Sequence, residues 1–226
     1  MTRLAFHRRR LLGAALLAAV GLTLRVSPGD AAADAPGGSA PGGGDAVPVV
    51  APIQQLCDGL LAIMRAGQAV PFAQRFNQLA PEVDSAFDLD TILRVSVGPT
   101  WPTLPPDQQA MLEAAFRRYT IASYVNSFDE YSGQRFEVSP QVRALPNGEQ
   151  VVDTRIVPRS GDPHELAYVM RKTSQGWRAV DVLLDGTISR VAVQRSDFRN
   201  LLLHGGAAAL AKSLQEKTAN LSGGTA

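Results

Sequence analysis

The sequence predicts an α+β domain with a helical first half, a twisted four-stranded antiparallel sheet and helices again at the C-terminal end. Three observations carry this reading. Apolar residues recur at helical spacing from Ile53 to Phe128. The period then changes to short apolar runs separated by Asn147-Gly148, Ser160-Gly161-Asp162-Pro163 and Gln175-Gly176, which is the punctuation of a meander. Helical spacing returns after Asp185-Gly186. At 226 residues, 45% hydrophobic and 19% charged, the chain has material for one domain with a real core.

In the first half, Ile53, Leu56, Leu60 and Ile63 form one helical stripe that Gly67 closes. Pro71 opens the next helix, with Phe72, Phe76, Leu79 and Val83 on one side. Asp88 caps a short helix that carries Leu89, Ile92, Leu93 and Val95 and ends at Gly98. Pro105-Pro106-Asp107 starts the longest one, whose stripe runs through Leu112, Phe116, Tyr119, Ala122 and Val125 to a stop at Ser132-Gly133.

Four strands follow at Phe136–Leu145, Val151–Val157, Leu166–Arg171 and Trp177–Leu184, with Asn147-Gly148 as the strongest hairpin signal. A helix carrying Ile188, Val191, Phe198, Leu201 and Leu202 comes next. Gly205-Gly206 breaks it, and Ala207–Lys217 forms the last one.

The third and fourth strands are apolar on both faces. Leu166, Tyr168 and Met170 oppose Ala167 and Val169; Val180, Val182 and Leu184 oppose Ala179, Asp181 and Leu183. A sheet with one wet face alternates apolar and polar residues. Either helices or a larger core cover both sides, or a curved sheet and the helices enclose an apolar pocket. Tyr119, Tyr124, Tyr168, Met170 and Trp101 suit the lining of such a pocket. Periodicity leaves both explanations open.

The ends read differently from the body at 49–217. Residues 1–33 have the form of a cleaved export signal: Arg8-Arg9-Arg10, an apolar run from Leu11 to Val20, and Ala31-Ala32-Ala33. The arginines admit either general or twin-arginine export, and an uncleaved anchor is the alternative. Residues 34–48 are a Gly/Pro-rich tether, and 218–226 a flexible tail. The whole chain carries 22 basic and 21 acidic residues. Removing the leader's five arginines and one aspartate leaves 17 and 20, a mildly acidic body.

That balance argues against a nucleic-acid partner bound through a basic face. A single cysteine, Cys57, excludes an intrachain disulfide and any multi-cysteine zinc site, and only three histidines are present. No metal or cofactor is expected. The sequence has no Gly-x-Ser-x-Gly elbow, no His-Glu-x-x-His and no Walker loop. Asp181 is the best candidate acid/base, with His164 nearby in sequence; the competing role is a hydrogen bond to a strand or helix terminus. Arg117, Arg118, Arg190, Arg195 and Arg199 could make docking contacts, or simply be solvated.

Three stretches carry a family resemblance over nearly all of residues 50–217. The first is Phe87-Asp88-Leu89 through Val97-Gly98, then Trp101 and Leu104-Pro105-Pro106-Asp107-Gln108-Gln109. The second is Phe116-Arg117-Arg118-Tyr119 with Tyr131-Ser132-Gly133-Gln134. The third joins Leu166–Lys172, Trp177–Val182, Asp185-Gly186-Thr187-Ile188-Ser189 and Arg195-Ser196-Asp197-Phe198. In order and spacing they resemble the periplasmic phospholipid-carrier family known as the toluene-tolerance or MlaC family, and most closely its hopanoid-operon branch, HpnM. Asp185 stands where many relatives carry Glu, and the Gly/Pro-rich tether is unlike their shorter N-termini.

The resemblance implies an NTF2-like fold in which 49–217 is a lipid-binding domain holding tails in an apolar cavity between sheet and helices. Mapped by position, Trp101, Phe116, Tyr119, Tyr168, Met170, Val180, Val182 and Leu184 are the implied ligand-binding residues. The implied role is a non-catalytic, monomeric periplasmic carrier of a phospholipid or hopanoid, moving it between the inner and outer membranes. Its partners would be an inner-membrane transporter and an outer-membrane acceptor. The alternatives are a small enzyme using Asp181 and a lipid-free adaptor of an envelope transporter.

Overall fold

The computed structural model describes residues 46–223, and the expected leader at 1–33 lies outside the described residues. Five helices and five strands follow one another as α1 (Ala46–Ala66), α2 (Phe72–Ala86), α3 (Leu89–Val97), α4 (Pro106–Ser127), β1 (Arg135–Ala144), β2 (Gln150–Val157), β3 (His164–Thr173), β4 (Gly176–Leu184), β5 (Ile188–Ser189) and α5 (Arg190–Leu221). The strands form one antiparallel sheet in the order β1-β2-β3-β4-β5.

Helix α1 starts at Ala46, inside the stretch expected as tether. Pro48 falls in its first turn, where a missing N–H costs nothing, and Val49 is fully buried. Residues 48–69 are long and apolar enough to cross a membrane. Here, though, the helix buries Val49, Ile53, Leu56, Leu60 and Ile63 in the core and packs on α2 and β1. At the other end, α5 extends four residues past the expected limit at Lys217, because Thr218 is buried and donates its hydroxyl to the Leu214 carbonyl at 2.8 Å.

A fifth strand replaces the expected start of the C-terminal helix. Leu183 pairs with Ser189 and Leu184 with Ile188. The three-residue turn between them is closed by the Thr187 N–H on the Leu184 carbonyl at 3.1 Å and has positive φ at both Asp185 (48°) and Gly186 (70°). The break expected at Gly205-Gly206 is a kink within α5, with Gly206 at φ 64° and ψ −162°. Val95, expected on the apolar stripe of α3, is 45% exposed.

Both faces of the sheet are apolar for different reasons. Val152, Tyr168, Met170 and Ala179 face the helices and join the main core. Val151, Ala167 and Val169 are buried outside that cluster. They share their face with ion-paired side chains, Arg143 on Asp153 at 2.9 Å and Arg155 on Glu137 at 2.6 Å. The alkyl arms of such pairs shield small apolar residues while their heads stay wet.

Two devices fix the helices, one to β4 and one to each other. Asp88 caps α3, accepting the Thr91 N–H at 3.0 Å and the Thr91 hydroxyl at 2.7 Å, while its own N–H donates to the Ala179 carbonyl at 2.9 Å. Buried Arg75 donates to the carbonyls of Val70 (3.1 Å) and Val125 (3.4 Å), tying the start of α2 to the last turn of α4.

Candidate functional site

Helix α4 builds one wall of the site. Phe116, Tyr119, Thr120, Ser123, Tyr124 and Ser127 are spaced three and four apart, so they share one face. That face looks onto Leu166 of β3 and Val182 and Leu184 of β4. Phe87, Leu89 and Ile92 close one side; Arg190, Val191 and Gln194 of α5 close another. Between them is a predominantly apolar cavity of about 130 Å³ that opens to solvent. Its size is close to that of an engineered core cavity that takes benzene.

Tyr124 sits at the centre of an aromatic chain. Its ring lies 5.7 Å from Phe87 and stacks on Phe128 at 6.1 Å, and Phe87 in turn meets Tyr168 at 6.1 Å. Burial pushes both phenols well above the ordinary tyrosine range; at Tyr124 the nearby Arg190 charge opposes the rise. These rings give the wall rigidity and apolar area.

The polar atoms at the wall divide into satisfied and unsatisfied ones. Ser123 donates to the Tyr119 carbonyl and Ser127 to the Ser123 carbonyl, each at 2.7 Å, so both hydroxyls are spent on their own helix. The buried Thr120 hydroxyl has no partner among the described residues. Asp181 accepts from the Ser189 hydroxyl and from the backbone N–H groups of Val182 (2.7 Å) and Val191 (3.1 Å). The Arg190 guanidinium makes no hydrogen bond or ion pair among the described residues.

Of the eight implied lining residues, the structure brings Phe116, Tyr119, Val182 and Leu184 together around the cavity. Trp101, Tyr168 and Met170 do not line it and are packed into the core behind. Val180 is the extra residue of a β-bulge, since Val169 pairs with Asp181 and Met170 with Ala179. The bulge puts Ala179 and Val182 on the same, helix-facing side and sends Val180 away from it. Thr120, Ser123 and Ser127 escaped the sequence reading because a search for apolar lining passes over hydroxyls. Their regular spacing along α4 with Phe116 and Tyr124 was the signal that could have found them.

The enzyme reading needs an available carboxylate, and both Asp181 oxygens are engaged in holding the start of α5. His164 is exposed at the first residue of β3, five residues from the Val169 that pairs with Asp181, or about 16 Å along the strand. Cys57 is buried in α1, and burial, with a smaller contribution from the Asp58 charge, pushes its thiol up to about 12. The arginines considered for docking separate: Arg117 forms a two-point pair with Asp84 (2.8 and 2.6 Å), Arg195 packs on Gly98, and Arg190 lines the cavity. A larger depression of about 640 Å³ on the outer sheet face is lined by charges such as Glu137, Arg143, Asp153 and Arg155, which already pair with one another.

Fold and cavity together define a small α+β domain with an apolar chamber walled by one helix face and two strands. The chain belongs to the MlaC protein family, whose model matches residues 54–216. Among solved structures, it is similar to a phospholipid-binding protein from Ralstonia solanacearum determined in complex with a phospholipid. That protein is 21% identical, with a TM-score of 0.66 over 77% of this chain and 98% of the other. No curated protein matches the sequence.

Proposed function

We propose that the protein is a non-catalytic periplasmic carrier that holds the tail of a phospholipid or hopanoid-like lipid in this cavity and moves it between the inner and outer membranes. The observation that carries the reading is the solvent-open apolar space between the α4 face and the β3–β4 wall. Membership of the MlaC family and likeness in fold to a phospholipid-bound protein support it. Burying a methylene is worth about 0.8 kcal/mol, so a tail of about 16 carbons faces roughly 13 kcal/mol on entering water. A side-chain-lined chamber removes that barrier without nucleophile, metal or cofactor.

A cavity that fits one aromatic ring holds the end of a tail, and the walls must separate to take the rest. An inner-membrane transporter and an outer-membrane acceptor are the partners such a cycle requires. The resemblance of 50–217 to the hopanoid-operon branch directs the choice of cargo toward hopanoids. Organic-solvent extraction of purified protein, followed by mass spectrometry, should recover near-stoichiometric lipid. Ser123→Phe, which fills the chamber from α4, should empty it while the protein stays folded. Lipid-free protein from several independent preparations would overturn the reading.

A further inference from the structure

We propose that the chamber favours lipids that carry a neutral hydroxyl on the hydrocarbon they bury, and that Thr120 is the residue that reads it. The inference rests on the carrier reading and adds a class of cargo to it.

Among the described residues, three buried side-chain polar atoms have no hydrogen-bond partner: Thr120 Oγ1, Gln150 Oε1 and Arg178 Nε. Thr120 is the one of them that lines the chamber, beside Phe116, Ser123 and Tyr124 of the same helix. A serine or threonine within a helix has a ready acceptor in the carbonyl four residues before it. Ser123 and Ser127 use theirs, at 2.7 Å each. The Thr120 hydroxyl makes no such bond to Phe116, so it has given up water without a replacement. A plain hydrocarbon in the chamber preserves that loss, whereas a ligand oxygen beside Thr120 removes it.

The surroundings decide which oxygen. A charged group would be desolvated against the rings of Phe116 and Tyr124, and an anion would also share the chamber with the Asp181 carboxylate. A neutral hydroxyl and a neutral carbonyl remain. Ser123, three residues on and on the same face, donates its proton to Tyr119 and keeps lone pairs open to a donor. A ligand hydroxyl can accept from Thr120 and donate to Ser123; a carbonyl can only accept. Tyr124, four residues after Thr120, adds a second donor. Burial holds its phenol protonated well above the ordinary range, and it makes no hydrogen bond among the described residues. Neighbouring atoms cover Thr120 Oγ1 here, and the parting of the walls that admits a tail also uncovers it.

The test uses full-length protein, lipid-stripped, with a neutral fluorescent naphthylamine in the cavity. Two competitors displace it: p-cresol, which has a hydroxyl, and p-xylene, which has a methyl in the same place. Because their shapes match, any change in room cancels in the ratio of their affinities. The preference for p-cresol over p-xylene should fall about fivefold in Thr120→Val, the effect of one neutral hydrogen bond. Thr120→Ala, which also lacks the hydroxyl but leaves more space, should lower it equally, and it decides the matter by the same criterion if the valine variant does not fold. A ratio that stays within about twofold of wild type would overturn the assignment. With the dye and both competitors still bound, that result would leave the carrier reading standing. Wild-type protein that binds neither competitor, nor the dye, would sink both.

Discussion

The Oδ1 atom of Asp181 accepts the Val191 N–H at 3.1 Å, joining β4 to the first turn of α5 beside the cavity. The residue most open to a catalytic reading thus acts as a remote helix cap. Losing a cap costs about 0.5–2 kcal/mol, and a domain of this size shifts by about 2–4 °C per kcal/mol. Asp181→Ala should therefore lower the melting temperature by about 1–8 °C, whereas Asp181→Asn, which keeps one acceptor, should lower it much less. Equal melting of the alanine variant and wild type would remove the capping account.

Thr120→Val should stabilise the lipid-free protein. The substitution keeps the side chain's shape and deletes a buried hydroxyl that has no partner among the described residues, and an unsatisfied buried polar group costs about 1–3 kcal/mol. A rise of about 2–12 °C in the melt of the lipid-free protein is expected. The gain should shrink when lipid is bound, because the wild-type hydroxyl then has something to bond. An unchanged or lower melting point in the lipid-free variant would contradict this.

Stability should fall at alkaline pH. Burial holds the Cys57 thiol up at about 12 against an ordinary 9.0, and holds the Tyr124 and Tyr168 phenols above their ordinary 10.0. Above pH 9 the unfolded chain releases these protons and the native state keeps them. The stability present below that pH is therefore lost as pH rises, by up to about 1.4 kcal/mol per pH unit for each group. Denaturant melts from pH 8 to 11 should show the decline, and Cys57→Ala should make it shallower. Native protein at pH 8 should resist iodoacetamide and react once unfolded.

The order of elements was legible because each was marked by local chemistry: Asp88 before α3, Pro105-Pro106 before α4, and Asn147-Gly148 between β1 and β2. The site was half legible. Phe116, Tyr119, Val182 and Leu184 stand at cavity positions because helix and strand periods carried them there. Tyr168 and Met170 lie on the helix-facing side too, but deeper, and depth depends on which helix covers a strand. The bulge at Val180 reversed the facing of one residue, and a bulge needs only one extra residue in one strand. Arg190 is indistinguishable in sequence from Arg195 and Arg199; only β5, formed by pairing of Ile188 and Ser189 with Leu184 and Leu183, sets it against the cavity.

The kink at Gly206 should prove essential to the way α5 serves two walls. Before it, Phe198 meets Phe116 edge-on at 6.2 Å and Gln194 accepts from Ser96 at 3.4 Å; after it, Lys217 lies 5.8 Å from the Tyr119 ring. A straight helix could not keep both sets of contacts. At φ 64° and ψ −162°, Gly206 occupies a region that a side chain enters only at a cost of about 1–3 kcal/mol. Beside it, a Cβ on Gly205 would fall 2.4 Å from the Ala209 Cβ. Gly206→Ala and Gly205→Ala should each lower the melting temperature by several degrees, against little change for Ala208→Ser on an exposed position of the same turn. Because the first segment of α5 carries Arg190 and Val191, Gly206→Ala should also weaken dye binding in the cavity. Wild-type melting and wild-type dye affinity in that variant would show that the bend is incidental to the chamber.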